Sequence, residues 1–90
     1  MKVTRKEKIK EILRLYDGKE FEDSDWSNVR ELQSLLEVFG IKGWKAYSEA
    51  DIYYSAKTWV WEENGEYIVI TAVKRGPYLK YEMVVYGRIK

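Results

Sequence analysis

Residues 58–75 of this chain read TWVWEENGEYIVITAVKR. On both sides of Asn64-Gly65 the apolar and polar side chains alternate with a period of two, as in strands that bury one face. Asn-Gly is also the dipeptide that best tolerates the positive φ angles of a two-residue type I′ turn. The stretch therefore predicts a β-hairpin, with strands at about 52–62 and 66–75.

The length of this turn predicts the register of the hairpin, and the register decides which side chains share a face. A two-residue turn at Asn64-Gly65 places Trp61 opposite Ile68 and Lys57 opposite Ala72.

Gly76-Pro77 predicts a second turn, followed by a third strand at about 78–89. With these two residues at its centre, Ile70 lies opposite Met83. One sheet face then carries the large apolar side chains, and we expect helices to cover it. Its members are Trp59, Trp61, Ile68, Ile70, Leu79, Tyr81, Met83 and Val85.

Two amphipathic helices precede the hairpin. The first, at about 5–17, begins with a capping box at Thr4 and Glu7 and has an apolar stripe at helical spacing. The second, at about 25–39, has Ser24 or Asp25 as its N-cap. Its predicted stripe is Trp26, Val29, Leu32, Leu36 and Phe39, widened by Leu35 and Val38. The short connection at 19–25 implies antiparallel helices, and residues 41–51 fit either a short strand or one helical turn.

These elements predict a single α+β domain over residues 1–90. In it, two N-terminal antiparallel helices pack on one face of a three-stranded antiparallel β-meander. A strand within 41–51 would make the sheet four-stranded.

The composition excludes several kinds of chemistry. The chain has no His and no Cys, so it lacks the usual general base, a thiol nucleophile and the commonest metal ligands. Its sequence contains no Gly-rich phosphate loop, and the acidic residues between Asp17 and Asp25 lack the spacing of a calcium-binding loop. We therefore expect no enzyme activity, no metal site and no small-molecule cofactor.

Charge and hydropathy bear on location and partners. Without an apolar run of roughly 18 residues we expect no membrane association, and the cytoplasm is the default location. A charged fraction of 34% with one Gln and two Asn is typical of thermophile proteins. Net charge is +4 in residues 1–19 and in 67–90 but negative between them, which favours an oriented partner.

The second sheet face is the candidate binding surface, because two helices can cover only one face. This face is richer in Tyr and Val than a solvated antiparallel face usually is. The candidate binding residues are Tyr54, Tyr67, Arg75, Tyr78, Lys80, Tyr86 and Arg88.

Two functions fit these residues. A protein–protein interface, including self-association, is favoured because Tyr, Val and Arg suit interface cores. The alternative is nucleic-acid binding, in which Tyr stacks on bases while the basic ends meet phosphates. Glu62 and Glu82 on the same face weigh against that alternative. Compact domains without motifs are common among small proteins of viruses and mobile elements that block a host complex, a placement that rests on association alone.

Residues 58–75 also resemble the terminal hairpin of the small ribosome-dependent mRNA-cleaving toxins of bacterial toxin–antitoxin pairs. The resemblance implies an RNA site at Lys74, Arg75, Tyr78 and Tyr81. It includes no diagnostic motif. The chain also lacks the family's N-terminal strand and adds a long strand after the hairpin, so RNA cleavage ranks behind both binding functions.

Overall fold

The computed structural model describes residues 4–22 and 26–90 of the chain. The strands form one antiparallel sheet in the order β1-β5-β4-β3-β2, which confirms the α+β class. The elements are α1 (Arg5–Tyr16), β1 (Glu20–Glu22), α2 (Ser27–Glu37), β2 (Lys45–Ala50), β3 (Tyr54–Glu63), β4 (Glu66–Arg75) and β5 (Lys80–Arg88).

The predicted strand count of three or four was too low, and the helices are not both N-terminal to the sheet. The short strand β1 lies between them and pairs with β5. Its middle residue, Phe21, is buried and faces Tyr81, while its two neighbours are exposed. Three residues are too few to show a period, so the connection looked like a polar loop. Residues 45–50 form a strand, β2, rather than a helical turn.

Helix α1 follows its prediction closely. The backbone N–H of Glu7 donates to Thr4 Oγ1 at 3.2 Å, so the predicted N-cap is confirmed. Its stripe of Ile9, Ile12, Leu13 and Tyr16 is buried.

Helix α2 is two residues shorter at each end than predicted. The proposed caps Ser24 and Asp25 lie outside the described residues. Val29, Leu32 and Leu36 are buried as expected, with Trp26 and Phe39 packed against the core. Leu35 and Val38 do not widen the stripe, because they are 39% and 80% exposed. Val38 lies about 200° around a helix from Leu36, on the opposite side.

The Asn64-Gly65 turn has the predicted geometry, with φ angles of 52° and 80°. The register it sets is confirmed, since Trp61 lies opposite Ile68, Trp59 opposite Ile70, and Lys57 opposite Ala72.

The register predicted for the second turn was wrong by two residues. Strand β4 ends at Arg75 and β5 begins at Lys80, so the turn contains four residues instead of two. Ile70 therefore faces Val85. A shift of two preserves the faces, but Leu79 falls in the turn and is 66% exposed instead of buried. The other pairs move likewise: Ala72 faces Met83, and Ile68 faces Gly87.

Both helices pack on the same side of the sheet, called here the inner face. Buried residues of α1, α2 and strands β1, β3, β4 and β5 form one cluster there. Trp26 contacts the ring of Phe21 edge-on at 5.4 Å between centroids and that of Trp59 at 6.1 Å. In the described part of the chain, neither helix is long and apolar enough to cross a membrane.

Candidate protein-binding face

The sheet face turned away from the helices is called the outer face. Side chains alternate between faces along each strand, so the pairing register assigns its members. They are Glu20 and Glu22 in β1; Lys45, Tyr47 and Glu49 in β2; Tyr54, Ala56, Thr58, Val60 and Glu62 in β3; Tyr67, Val69, Thr71, Val73 and Arg75 in β4; and Lys80, Glu82, Val84, Tyr86 and Arg88 in β5.

The centre of the outer face carries no charge. Thr58 and Thr71 lie opposite each other on β3 and β4, with 3.3 Å between their hydroxyl oxygens. Val60 lies opposite Val69 in the neighbouring row, and Val84 flanks Thr71 on β5. Each Thr can satisfy its hydroxyl on its neighbour, so the centre is largely apolar.

Tyr side chains surround this centre and are the most exposed aromatics of the face. Tyr47 on β2 is 58% exposed and Tyr86 on β5 is 54% exposed, so the two flank the central rows from opposite sides of the sheet. Tyr67 is 37% exposed near one end. A Tyr ring presents a large apolar body with a polar hydroxyl, which suits a contact surface that is dry inside and wet at its margin.

The charges of the outer face form its rim and include slightly more acids than bases. The basic residues are Lys45, Arg75, Lys80 and Arg88; the acidic residues are Glu20, Glu22, Glu49, Glu62 and Glu82. Within the described ranges, no ion pair joins two of them; the salt bridge seen, Lys8 to Glu11, lies on α1. The rim therefore has charges of both signs that a partner can meet.

Six of the seven predicted binding residues lie in strands with their side chains on this face. Tyr78 is the exception, because it falls in the four-residue turn and is 72% exposed. It still borders the face, lining a shallow cavity of about 270 Å³ together with Arg75, Lys80 and Glu82.

Sequence reasoning missed the contributions of the two edge strands. Tyr47, with Lys45 and Glu49, belongs to the outer face because β2 pairs with β3. The alternation of long side chains with Ala46 and Ser48 was the available signal, but Gly43 and Trp44 just before it obscured the period. The acids Glu20 and Glu22 come from β1, which had no periodic signal.

Of the residues implied by the toxin resemblance, Arg75, Tyr78 and Tyr81 line the same shallow cavity, but the four are divided between the two faces and the turn. Lys74 and Tyr81 lie on the inner face, where Lys74 Nζ is 5.9 Å from the centroid of the Tyr81 ring. Tyr81 is 5% exposed and stacks on Phe21. Arg75 is on the outer face and Tyr78 is in the turn. Across residues 4–22 and 26–90, no group of three carboxylates is placed to hold a metal ion.

Comparisons with protein-family models, with curated proteins and with solved structures find no match to this chain.

Proposed function

We propose that this chain is a small non-enzymatic binding protein whose outer face docks on the surface of another protein. The observation that supports this proposal is the arrangement of that face. An uncharged centre of Thr, Val and Ala is surrounded by Tyr and then by charges of both signs. Protein interfaces have this anatomy, with a charge-depleted, aromatic-rich core inside a polar rim.

The size of the face fits the same reading. Strands β3 and β4 each have ten residues. The 38 residues of the five strands, at about 3.3 Å per residue and about 4.8 Å between strands, cover on the order of 600 Å² in projection. Standard interfaces bury about 800 Å² of accessible surface per partner. The outer face is therefore large enough to carry most of one interface without help from the helices.

Charge balance separates this proposal from the nucleic-acid alternative. Proteins that bind nucleic acid through a sheet need a surplus of Lys and Arg near the stacking aromatics. On the outer face five acids stand against four bases, and β1 contributes two of those acids close to Lys80. The exposed Tyr side chains would stack on bases, but the rim would repel the phosphates. A host complex blocked by a viral or mobile-element protein is one case of the protein-binding proposal.

Photocrosslinking tests the proposal at one residue. A photoreactive amino acid replaces Val84, at the centre of the outer face, and in a matched control it replaces Leu15, on α1. Leu15 is 70% exposed whereas Val84 is only 37% exposed, so accidental collisions favour the control. Each purified protein is irradiated in cell extract, and separately with a mixed-sequence RNA.

Protein adducts from position 84 that are absent from position 15 support the proposal, whether the partner is another protein or a second copy. Adducts with RNA from position 84 would make the nucleic-acid alternative the better account. If position 84 gives no adduct beyond the Leu15 control, the outer face is not the working surface and the proposal is wrong.

A further inference from the structure

Strand β2 is the open edge of the sheet. All six of its residues are exposed, and among the residues that the structure describes it pairs with β3 alone. The first half of the opposite edge is covered: β1 pairs with the start of β5, the Gly18 N–H donates to the carbonyl of Met83 at 2.7 Å, and the Met83 N–H donates to the carbonyl of Lys19 at 2.9 Å. An uncovered edge presents unpaired backbone groups and is a template for another strand.

The ladder shows which backbone groups are available on β2. The Asp51 N–H donates to the carbonyl of Tyr54 at 2.7 Å, so residue 51 directs its backbone groups toward β3. Hydrogen-bonding residues alternate along an antiparallel strand. Lys45, Tyr47 and Glu49 therefore also bond to β3, and the N–H and C=O groups of Ala46, Ser48 and Ala50 point away from the sheet.

We propose that β2 pairs with β2 of a second copy of this chain, antiparallel and about a two-fold axis at Tyr47. This register sets Lys45 of each copy opposite Glu49 of the other, so two opposite-charge pairs form across the seam. It also sets Tyr47 against its own copy, and Ala46 against Ser48, whose outward backbone groups can then bond to each other.

The neighbouring register leaves Glu49 without an opposite charge. An axis at Ser48 sets Tyr47 against Glu49 and leaves Lys45 opposite Asp51. Asp51 Oδ1 already accepts a hydrogen bond from the Tyr53 N–H at 2.8 Å. Charged residues on an edge strand usually prevent unspecific pairing. On β2 the two charges have opposite signs and lie equally far from Tyr47, so an axis at Tyr47 is the register in which both of them face a charge of opposite sign.

Pairing through β2 does not depend on the proposed function, but it would enlarge the surface that the outer face offers to a partner. A two-fold axis perpendicular to the sheet keeps both outer faces on the same side, and they become one continuous ten-stranded surface. The seam itself is six residues long and belongs to the class of small interfaces, below about 1,200 Å². A seam of this size is typical of weak, transient contacts, so the dimer should dissociate on dilution.

Charge exchange tests the register. Sedimentation equilibrium over a dilution series compares the wild type with Lys45→Glu, Glu49→Lys and the double variant K45E/E49K. Each single variant replaces two attractive pairs per dimer by two repulsive ones, so its dimer dissociation constant should rise about tenfold or more. The double variant restores opposite charges and should recover the wild-type constant.

A proline tests the backbone seam. Ser48→Pro removes an N–H that points away from β3, so the ladder within the chain is preserved while pairing between copies is blocked. The variant should be monomeric at concentrations where the matched control Ser48→Ala is dimeric. Circular dichroism confirms that each variant is folded. Amide exchange at Ala46 and Ser48 should slow as the wild-type concentration rises.

Three outcomes would overturn the proposal: a wild type that stays monomeric up to the order of 1 mM, a dimer indifferent to both the charge exchange and Ser48→Pro, or a dimer lost only on Val84→Lys. The last result would place the contact between copies on the outer face. A dimer that behaves as expected while Val84 gives no crosslink would leave the β2 seam standing and reject the proposed function.

Discussion

The carboxylate of Asp17 accepts a hydrogen bond from the backbone N–H of Val85 at 3.2 Å. Asp17 is the C-cap of α1, where the helix dipole disfavours a negative charge. The contact with β5 accounts for an acid at this position. β1 pairs with β5 only at Lys80–Glu82, and Asp17 provides a hydrogen-bond acceptor to β5 just beyond the end of β1. A side chain thus extends the cover of this edge to Val85, whereas all six residues of β2 are exposed.

Replacing Asp17 should separate its two effects. Asp17→Ala leaves the Val85 N–H without its acceptor and should lower the free energy of unfolding by about 1 kcal/mol. Asp17→Asn keeps an acceptor oxygen and removes the charge from the helix end, so its cost should be smaller. Urea denaturation measures both, and amide exchange at Val85 should accelerate in the Ala variant. Equal costs for the two variants would contradict the role of the hydrogen bond.

Tyr16 should make stability fall at alkaline pH. Burial, with a hydrogen bond from its hydroxyl to Glu31 Oε1 at 2.8 Å, raises the pKa of Tyr16 from 10.0 to about 12. Below pH 10 the folded and unfolded chains both keep the phenol proton, so this contribution to stability is fully present. Between pH 10 and 12 the unfolded chain loses the proton first, so unfolding becomes easier as pH rises.

Tyr16→Phe is the matched variant for this effect. At pH 7 it should be less stable than the wild type by about 1 kcal/mol, because it lacks the hydrogen bond to Glu31. Between pH 10 and 12 the wild type should lose about 1–3 kcal/mol more than the variant does. Other ionising side chains are common to both proteins and cancel in the difference. Parallel pH profiles from chemical denaturation would contradict the raised pKa.

Gly87 offers a direct test of the β4–β5 register. It lies opposite Ile68, and a Cβ at residue 87 would be 2.5 Å from the Tyr67 carbonyl oxygen and 3.1 Å from Ile68 Cα. Both are backbone atoms, so Gly87→Ala must push the strands apart and should cost about 1–3 kcal/mol in thermal unfolding. A two-residue second turn would instead place Val85 opposite Ile68. A cost of under about 0.5 kcal/mol for Gly87→Ala would therefore support that register and contradict the one described here.

The elements with strong local signals were predictable from sequence. The Thr4 cap of α1 and the Asn64-Gly65 turn depend on side chains and φ angles within a few residues, so they were found with the right partners. The turn at residues 76–79 was harder, since Gly-Pro fits several turn lengths and only tertiary pairing selects one. The side chains of β5 were nonetheless assigned to the correct faces, because the register error was an even number of residues.

The edge strands were not predictable to the same degree, and they matter most for the candidate site. β1 has one apolar residue and is ordered through the contact of Phe21 with Tyr81 and Trp26. β2 buries nothing, so no hydrophobic period marks it. Together they add Tyr47 and the rim acids Glu20, Glu22 and Glu49 to the outer face, which changes its charge balance against nucleic acid.

Met83 and Val84 are adjacent in β5 but point to opposite faces, which makes them a matched pair for the last prediction. Met83 is fully buried on the inner face, and Val84 is 37% exposed on the outer face. In urea denaturation at low protein concentration, Met83→Ala should cost about 2–5 kcal/mol. Val84→Ala should cost less than about 1 kcal/mol, mainly through weaker strand preference.

The difference between these two costs is a property of the isolated chain, in which only the inner face is covered. If the outer face docks on another protein, a large effect of Val84→Ala should appear in binding to a partner captured at that position, because truncating a contact at an interface centre weakens the complex. Equal costs for Met83→Ala and Val84→Ala in the unbound monomer would contradict the assignment of faces. Such a result would mean that Val84 is already packed within one chain, and the outer face would then have no free apolar centre to offer.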